Sequence, residues 1–245
     1  MAAKEKNSVW KAGCMVWVRL IFASIICFIV WFSIDAMCLS FLGEVSGYQI
    51  YAYDENGENP QLIVSYTYAE GEDKTTDIAV DENQVLTKIR TMSPTDKVVV
   101  GVVSSVFTWL IFGLFPYNIM WSKGSHDENY VNIGRFEQDT LFGLKAGIVA
   151  SIPSMVLYLL LVLGKFGAFP SVILQWHRLI NSPFIPYIDA VEMGVKTAME
   201  LSFGSLLAVG ATLLFVPFVC WLGYYLGYCG ISIRERLVYK KNETK

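Results

Sequence analysis

LSFGSLLAVGATLLFVPFVCWLGYYLGYCGISI, residues 201–233, runs for 33 positions without one Asp, Glu, Lys, Arg or His. A helix of about 20 apolar residues crosses the hydrocarbon core of a bilayer, so this stretch is long enough with residues to spare. It reads as a membrane span, and the rest of the chain is read outward from it. The composition agrees, since 54% hydrophobic and 17% charged residues in 245 positions is too apolar for an average soluble domain.

Three further runs match. Ala146–Gly164 is 19 uncharged residues bracketed by Lys145 and Lys165, one hydrocarbon thickness. Val98–Trp121 is another uncharged run of 24, introduced by Ser93-Pro94-Thr95-Asp96, a capping serine with proline at the first helical position and an acid three residues after the cap. Lys4, Lys6, Lys11 and Arg19 precede an apolar run that continues past Ile34 to Leu42. No small-residue cleavage site interrupts it, so it is expected to be an uncleaved anchor with Trp10 and Trp17 at one interface.

The segments between these runs differ in character. Residues 43–97 carry 11 acids and 4 basic residues and must be aqueous. Tyr48–Tyr53 and Leu62–Tyr68 flank a turn-forming stretch at 54–60, which predicts a hairpin, with a third strand at 76–80. Val85, Leu86, Ile89 and Met92 recur at helical spacing behind Asp81, predicting a short helix and hence a small α+β insertion. Residues 122–145 read as a polar loop. Residues 165–200 are apolar on average but broken by Gln175, His177, Arg178, Pro183 and Pro186. They are expected to lie in the interface, with Val172, Ile173, Trp176, Leu179 and Ile180 on one helical face. A re-entrant course would need cover that four helices supply only in an assembly. Asp189 and Glu192 are expected to cap and open the last helix, and Lys196 and Glu200 to pair at its mouth.

The fold class expected is therefore an all-α polytopic membrane protein of four transmembrane helices, with a small α+β extracytoplasmic insertion and an interfacial helix. Its divisions are 1–42, 43–97, 98–121, 122–145, 146–164, 165–200, 201–233 and 234–245. Lysines and arginines number 12 on the side of both termini and the 122–145 loop, against 7 on the other, so both termini are expected in the cytoplasm. The one Asn-x-Ser/Thr sequon, Asn242-Glu243-Thr244, falls on the cytoplasmic tail, and a bacterial plasma membrane is the expected setting.

Chemistry is harder to read. The net charge of -3 does not argue for nucleic acid. None of the five cysteines forms a CxxC pair, which leaves no disulfide framework or zinc site. HExxH, GxSxG and a glycine-rich phosphate loop are all missing from the sequence. His126-Asp127-Glu128 and Ser125-His126-Asp127 are neighbours in sequence, and neither ligand sets nor triads are built that way. The acids at 54–57 place glycine at the wrong position for a calcium loop. No catalytic, cofactor-binding or metal-ligating residue is assigned, and no cofactor is expected.

The reading expected is a non-enzymatic accessory, sensor or scaffold component whose acidic outer unit meets a partner or ligand. The alternative is a subunit of an oligomeric transporter or channel, in which Asp35, Lys97, Lys165, Lys196 and Glu200 form a charged cluster at the outer ends of the spans. Besides the lipid bilayer, the expected contacts are a protein partner or a second copy. Small-residue strips such as Gly143/Gly147/Ser151, Gly204/Ala208/Thr212 and Gly223/Gly227 would let helices approach closely.

Overall fold

The computed structural model describes residues 8–52, 60–68, 83–134, 139–192, 195 and 197–231. Among them are four helices long and apolar enough to cross a membrane, Val9–Leu42, Pro94–Asn132, Phe142–Lys165 and Phe203–Tyr228, and one three-stranded sheet. The chain divides into two compact units, Met1–Trp31 with Val102–Lys245, and Phe32–Gly101.

The smaller unit holds the end of α1 (Val9–Leu42), strands β1 (Glu44–Ala52), β2 (Gln61–Thr67) and β3 (Gln84–Thr91), and the start of α2 (Pro94–Asn132). The sheet is antiparallel in the order β2-β1-β3. Tyr48 on the central strand faces Tyr66 on one side and Lys88 on the other. The rings of Tyr48, Tyr66 and Tyr68 lie 5.4 to 6.1 Å apart and cover that face. Arg90 Nη1 donates to Ser40 O at 2.7 Å, tying β3 to the last turns of α1. Ser93 Oγ accepts from Asp96 N at 3.1 Å and donates to the Asp96 carboxylate at 2.7 Å, the cap expected for α2.

Two strands of the expected hairpin are present, while the turn at 54–60 lies outside the described residues except for Pro60, and the expected strand at 76–80 and the calcium-like acids at 54–57 lie wholly outside them. The helix expected over Val85–Met92 is corrected to β3. Eight residues are too few for apolar spacing to separate the two periods, and Val85, Thr87, Ile89 and Thr91 are β-branched residues that suit a strand paired along its whole length.

The larger unit contains the first part of α1, the rest of α2, α3 (Phe142–Lys165), α4 (Ile173–Ile180), α5 (Ile185–Glu192), α6 (Phe203–Ala211) and α7 (Phe215–Tyr228). Its helices meet backbone to backbone. A Cβ on Gly147 would stand 2.6 Å from Pro217 Cα, and one on Gly143 2.6 Å from Cys220 O, so α3 lies directly on α7. On its other flank α7 presents Gly223 and Gly227 to the backbone of α2 at Tyr117 and Trp121. Those strips are thus filled within the chain. Gly204, by contrast, faces open space apart from Ser202 Oγ at 3.7 Å.

Three further expectations change. The last span is two helices joined by a 3-10 turn at Thr212–Leu214, because Pro217 has no N–H for Leu213 O and its ring crowds that carbonyl. Its cap is Ser202, whose Oγ accepts from Ser205 N at 2.9 Å. Asp189 and Glu192 belong to α5 instead. The loop expected from residue 122 begins only after Asn132. In that added helical stretch Lys123 and Asp127 form an i,i+4 ion pair of 2.8 Å, and Tyr224 Oη donates to the other Asp127 oxygen at 3.1 Å. His126 points elsewhere and packs its ring at a tilt against Tyr130, with centroids 4.6 Å apart, so the sequence neighbours 126–128 do not converge.

Candidate functional site

The segment 165–200, expected to lie in the interface, belongs to the larger unit. α4 begins beside the end of α3, where a Cβ on Gly164 would stand 2.8 Å from Ile173 Cγ2. It runs eight residues, about 12 Å, and stops at Asn181-Ser182-Pro183, since proline excludes α geometry at the residue before it. A 3-10 turn, Ser182–Phe184, reverses the chain into α5. The return arm ends with Val191 O accepting from Ser205 Oγ at 3.2 Å, beside the start of α6. The result is a helical hairpin.

Its tip sits at the middle of two long helices. Ser182 Oγ donates to Ser24 O in α1 at 3.0 Å, and Thr108 Oγ1 in α2 donates to Pro183 O at 2.8 Å. Phe184 then packs against Trp109, Phe112 and Phe215, each with centroids 5.6 Å away. Tyr187 adds a ring contact to Trp109 at 5.5 Å and donates its hydroxyl to Ala208 O at 3.2 Å.

The two arms are also joined to each other. Arg178 Nη2 lies 3.6 Å from Asp189 Oδ1 across the hairpin and donates to Val195 O at 3.3 Å. The face of α4 that turns inward is Ile173, Leu174 and His177, followed by Asn181, while Val172, Trp176, Leu179 and Ile180 are exposed. His177 is 1% exposed, and its Nδ1 has no hydrogen-bond partner among the described residues. Of the expected stripe, Val172, Trp176, Leu179 and Ile180 share the exposed side, while Ile173 turns inward with Leu174 and His177.

Beside the tip lies a cleft of about 710 Å³. Helices α1 and α3 touch at Gly13 and Val149. The walls above that contact are apolar, from Ile21, Phe28 and Leu157, and the hairpin tip and Thr212 add hydroxyls and amides at one edge. These polar groups are already bonded, Ser151 to Gly147 O at 2.9 Å and Thr212 to Val209 O at 2.7 Å. Apart from the Ser154 hydroxyl, what remains to meet a guest is mainly hydrocarbon, and the volume is that of an ordinary ligand site.

Of the residues expected from sequence as an outer cluster, four fall within the described residues. Asp35 and Lys97 belong to the smaller unit and Lys165 and Glu200 to the larger, while Lys196 lies outside the described residues. Lys165 donates to Leu201 O and sits 4.6 Å from the Phe203 ring centroid, which ties the end of α3 to the start of α6. Among the described residues no three His, Cys, Asp or Glu side chains gather as a metal site, and all five cysteines are free thiols.

Sequence reasoning missed Ser24, Thr108 and Ser182. A lone hydroxyl residue in an apolar run is common, and only the hairpin turn at 182–184 gives these three a shared role. Comparison with protein-family models, curated proteins and solved structures finds no match for this chain.

Proposed function

We propose that this chain is a non-enzymatic, multi-pass membrane component, an accessory or sensor protein, that takes a long apolar chain such as a lipid tail into the cleft beside the hairpin tip. The observation that carries the reading is the polarity of the larger unit. Its hydroxyl-bearing residues Ser104, Thr108, Ser151 and Thr212 are buried, while Phe22, Ile25, Phe107 and Leu110 are exposed. That arrangement is unfavourable in water and natural in lipid, where helices associate through small and polar residues.

In this reading the four long helices span a plasma membrane with both termini in the cytoplasm, and the α4–α5 hairpin is re-entrant. Its broken backbone is acceptable at depth because Ser24 O, Thr108 and the aromatic cluster cover it. The cleft opens sideways between α1 and α3, where a tail enters directly from the bilayer.

A diazirine fatty acid tests this in native membranes. Labelling should map to peptides of α1 and α3 and fall at least severalfold in Ser154→Phe, which fills the cleft. Labelling that ignores that substitution would remove the cleft from the account.

The acidic segment 43–97 supports a second contact, with a basic partner outside the membrane, as its 11 acids against 4 basic residues suggest. The transport or channel reading has weaker support, since Lys165 is engaged as a helix-end anchor. It would regain weight only if Asp35→Asn abolished a measured flux in a well-expressed protein.

A further inference from the structure

A second groove, of about 1120 Å³, lies between the first half of α1 and the last half of α2. We infer that it is a binding site for an anionic phospholipid, with the phosphate held by Lys11 and Arg19 and the acyl chains lying along Met15, Leu114 and Phe115. The inference goes beyond the cleft and rests on the multi-pass reading.

The first ground is charge. Lys11, Met15 and Arg19 recur every four residues on one face of α1, and all line the groove. Lys123 and His126 face them from α2, and among the described residues no carboxylate lines the space. Asp127 meets Lys123 from the buried side, its own side chain 3% exposed. Lys11 and Arg19 have no ion-pair partner among the described residues. An anion is the complement that this wall lacks.

The second ground is depth. Cys27 Sγ donates to Thr108 O at 3.4 Å, which sets the antiparallel helices level. Sixteen residues away from that contact, Lys11 falls beside Gly124; eight residues away, Arg19 falls beside Pro116. The uncharged run of α2 ends at Trp121. Lys11 is therefore just beyond the hydrocarbon boundary and Arg19 about one turn within it, near enough for its long stem to reach back. The two cations bracket the level at which lipid phosphates lie.

The third ground is the continuity of the groove. Met15 and Ile119 lie between the levels of the two cations, and Phe115 and Leu114 at or just beyond that of Arg19, so charge and apolar wall share one groove. A free phosphate would use only the first part, whereas a phospholipid uses both, and basic pockets between spans on the cytoplasmic side are suited to such head groups.

The test is native mass spectrometry of the full chain in mild detergent, comparing phosphatidylglycerol with phosphatidylcholine of the same tails. Each cation near a membrane surface raises anionic retention about fivefold. The wild type should prefer phosphatidylglycerol, and Lys11→Gln with Arg19→Gln should lose roughly twenty- to thirtyfold of that preference. Lys145→Gln, on a lysine paired with Asp139 outside the groove, should keep it. Equal retention of the two lipids by the wild type overturns the site even if the double variant does not fold. Displacement of the lipid by an equal concentration of inorganic phosphate or glycerol phosphate assigns the wall to a free anion and overturns it too. Alkaline carbonate extraction reads the membrane assignment separately: a chain that is extracted fails the multi-pass reading, and one that stays but does not discriminate fails only the site.

Discussion

The hydroxyl oxygen of Thr108 lies 2.8 Å from the carbonyl oxygen of Pro183 and 3.1 Å from that of Ser105. It has one proton to give, and the shorter contact is the one that joins the hairpin to α2. Thr108 is fully buried, so removing its hydroxyl leaves the Pro183 carbonyl without that donor. Thr108→Val should cost about 1 to 2 kcal/mol, and Thr108→Ser much less. Thermal unfolding in detergent measures both. A cysteine placed at Ser182 should react faster with a membrane-permeant maleimide in the Val variant.

Glycine-mediated packing gives a contrast between two positions of one residue type. Gly147→Leu forces a side chain into α7 at Pro217, where the obstacle is backbone and cannot rotate away. The expected loss is more than about 3 kcal/mol, seen as poor expression or a lowered unfolding midpoint. Gly204→Leu enters open space and should change stability by under about 0.5 kcal/mol.

Asp127 is 2% exposed and held by Lys123 and Tyr224. Asp127→Ala strands a buried phenol and a lysine that is 29% exposed. Because that lysine still reaches water, the loss should be about 2 kcal/mol, below the range for a fully buried pair. Unfolding midpoints of Asp127→Ala and Asp127→Asn check this, with the Asn variant retaining a partner for Tyr224 and losing less.

His177 separates a packing role from a ligand role. With Nδ1 lacking a partner among the described residues, replacement by an apolar group of similar size removes a desolvation cost as well as a side chain. His177→Leu should leave the unfolding midpoint within a few degrees of wild type or raise it. A drop equivalent to about 3 kcal/mol would mean that the imidazole holds something.

Three of the long helices were legible from uncharged runs of 19 to 33 residues, and the first from the 15 uncharged residues Leu20–Ile34 and the apolar residues that follow Asp35. Ser93 and Pro94 marked the start of α2 for a local reason, that the capping atoms lie within four residues of one another. The end of the same helix was hidden. Polar residues from Ser122 to Asn132 look like a loop, and the bond between Tyr224 and Asp127 that supports them crosses 97 positions of sequence. For β3 the pairing with β1 decided the matter over a spacing that also fits a helix. The hairpin shows the limit most clearly. Its proline turn and its apolar stripe were both visible, but the direction of the stripe depends on whether the solvent beside it is water or lipid. The cleft and the basic groove had no local signal, since their walls come from separate helices far apart in the sequence.

Both polar anchors of the hairpin tip, Ser24 O and Thr108 Oγ1, lie upstream of it in the chain. In the re-entrant reading they are in place during synthesis before residues 181–184 emerge, so the broken backbone finds donors and acceptors waiting rather than bare lipid. Phe215 and Ala208, which finish the aromatic and tyrosine contacts, arrive only with the last two helices. The order of residues along the polypeptide is thus also an order of assembly, in which the hairpin is threaded first and then locked from behind.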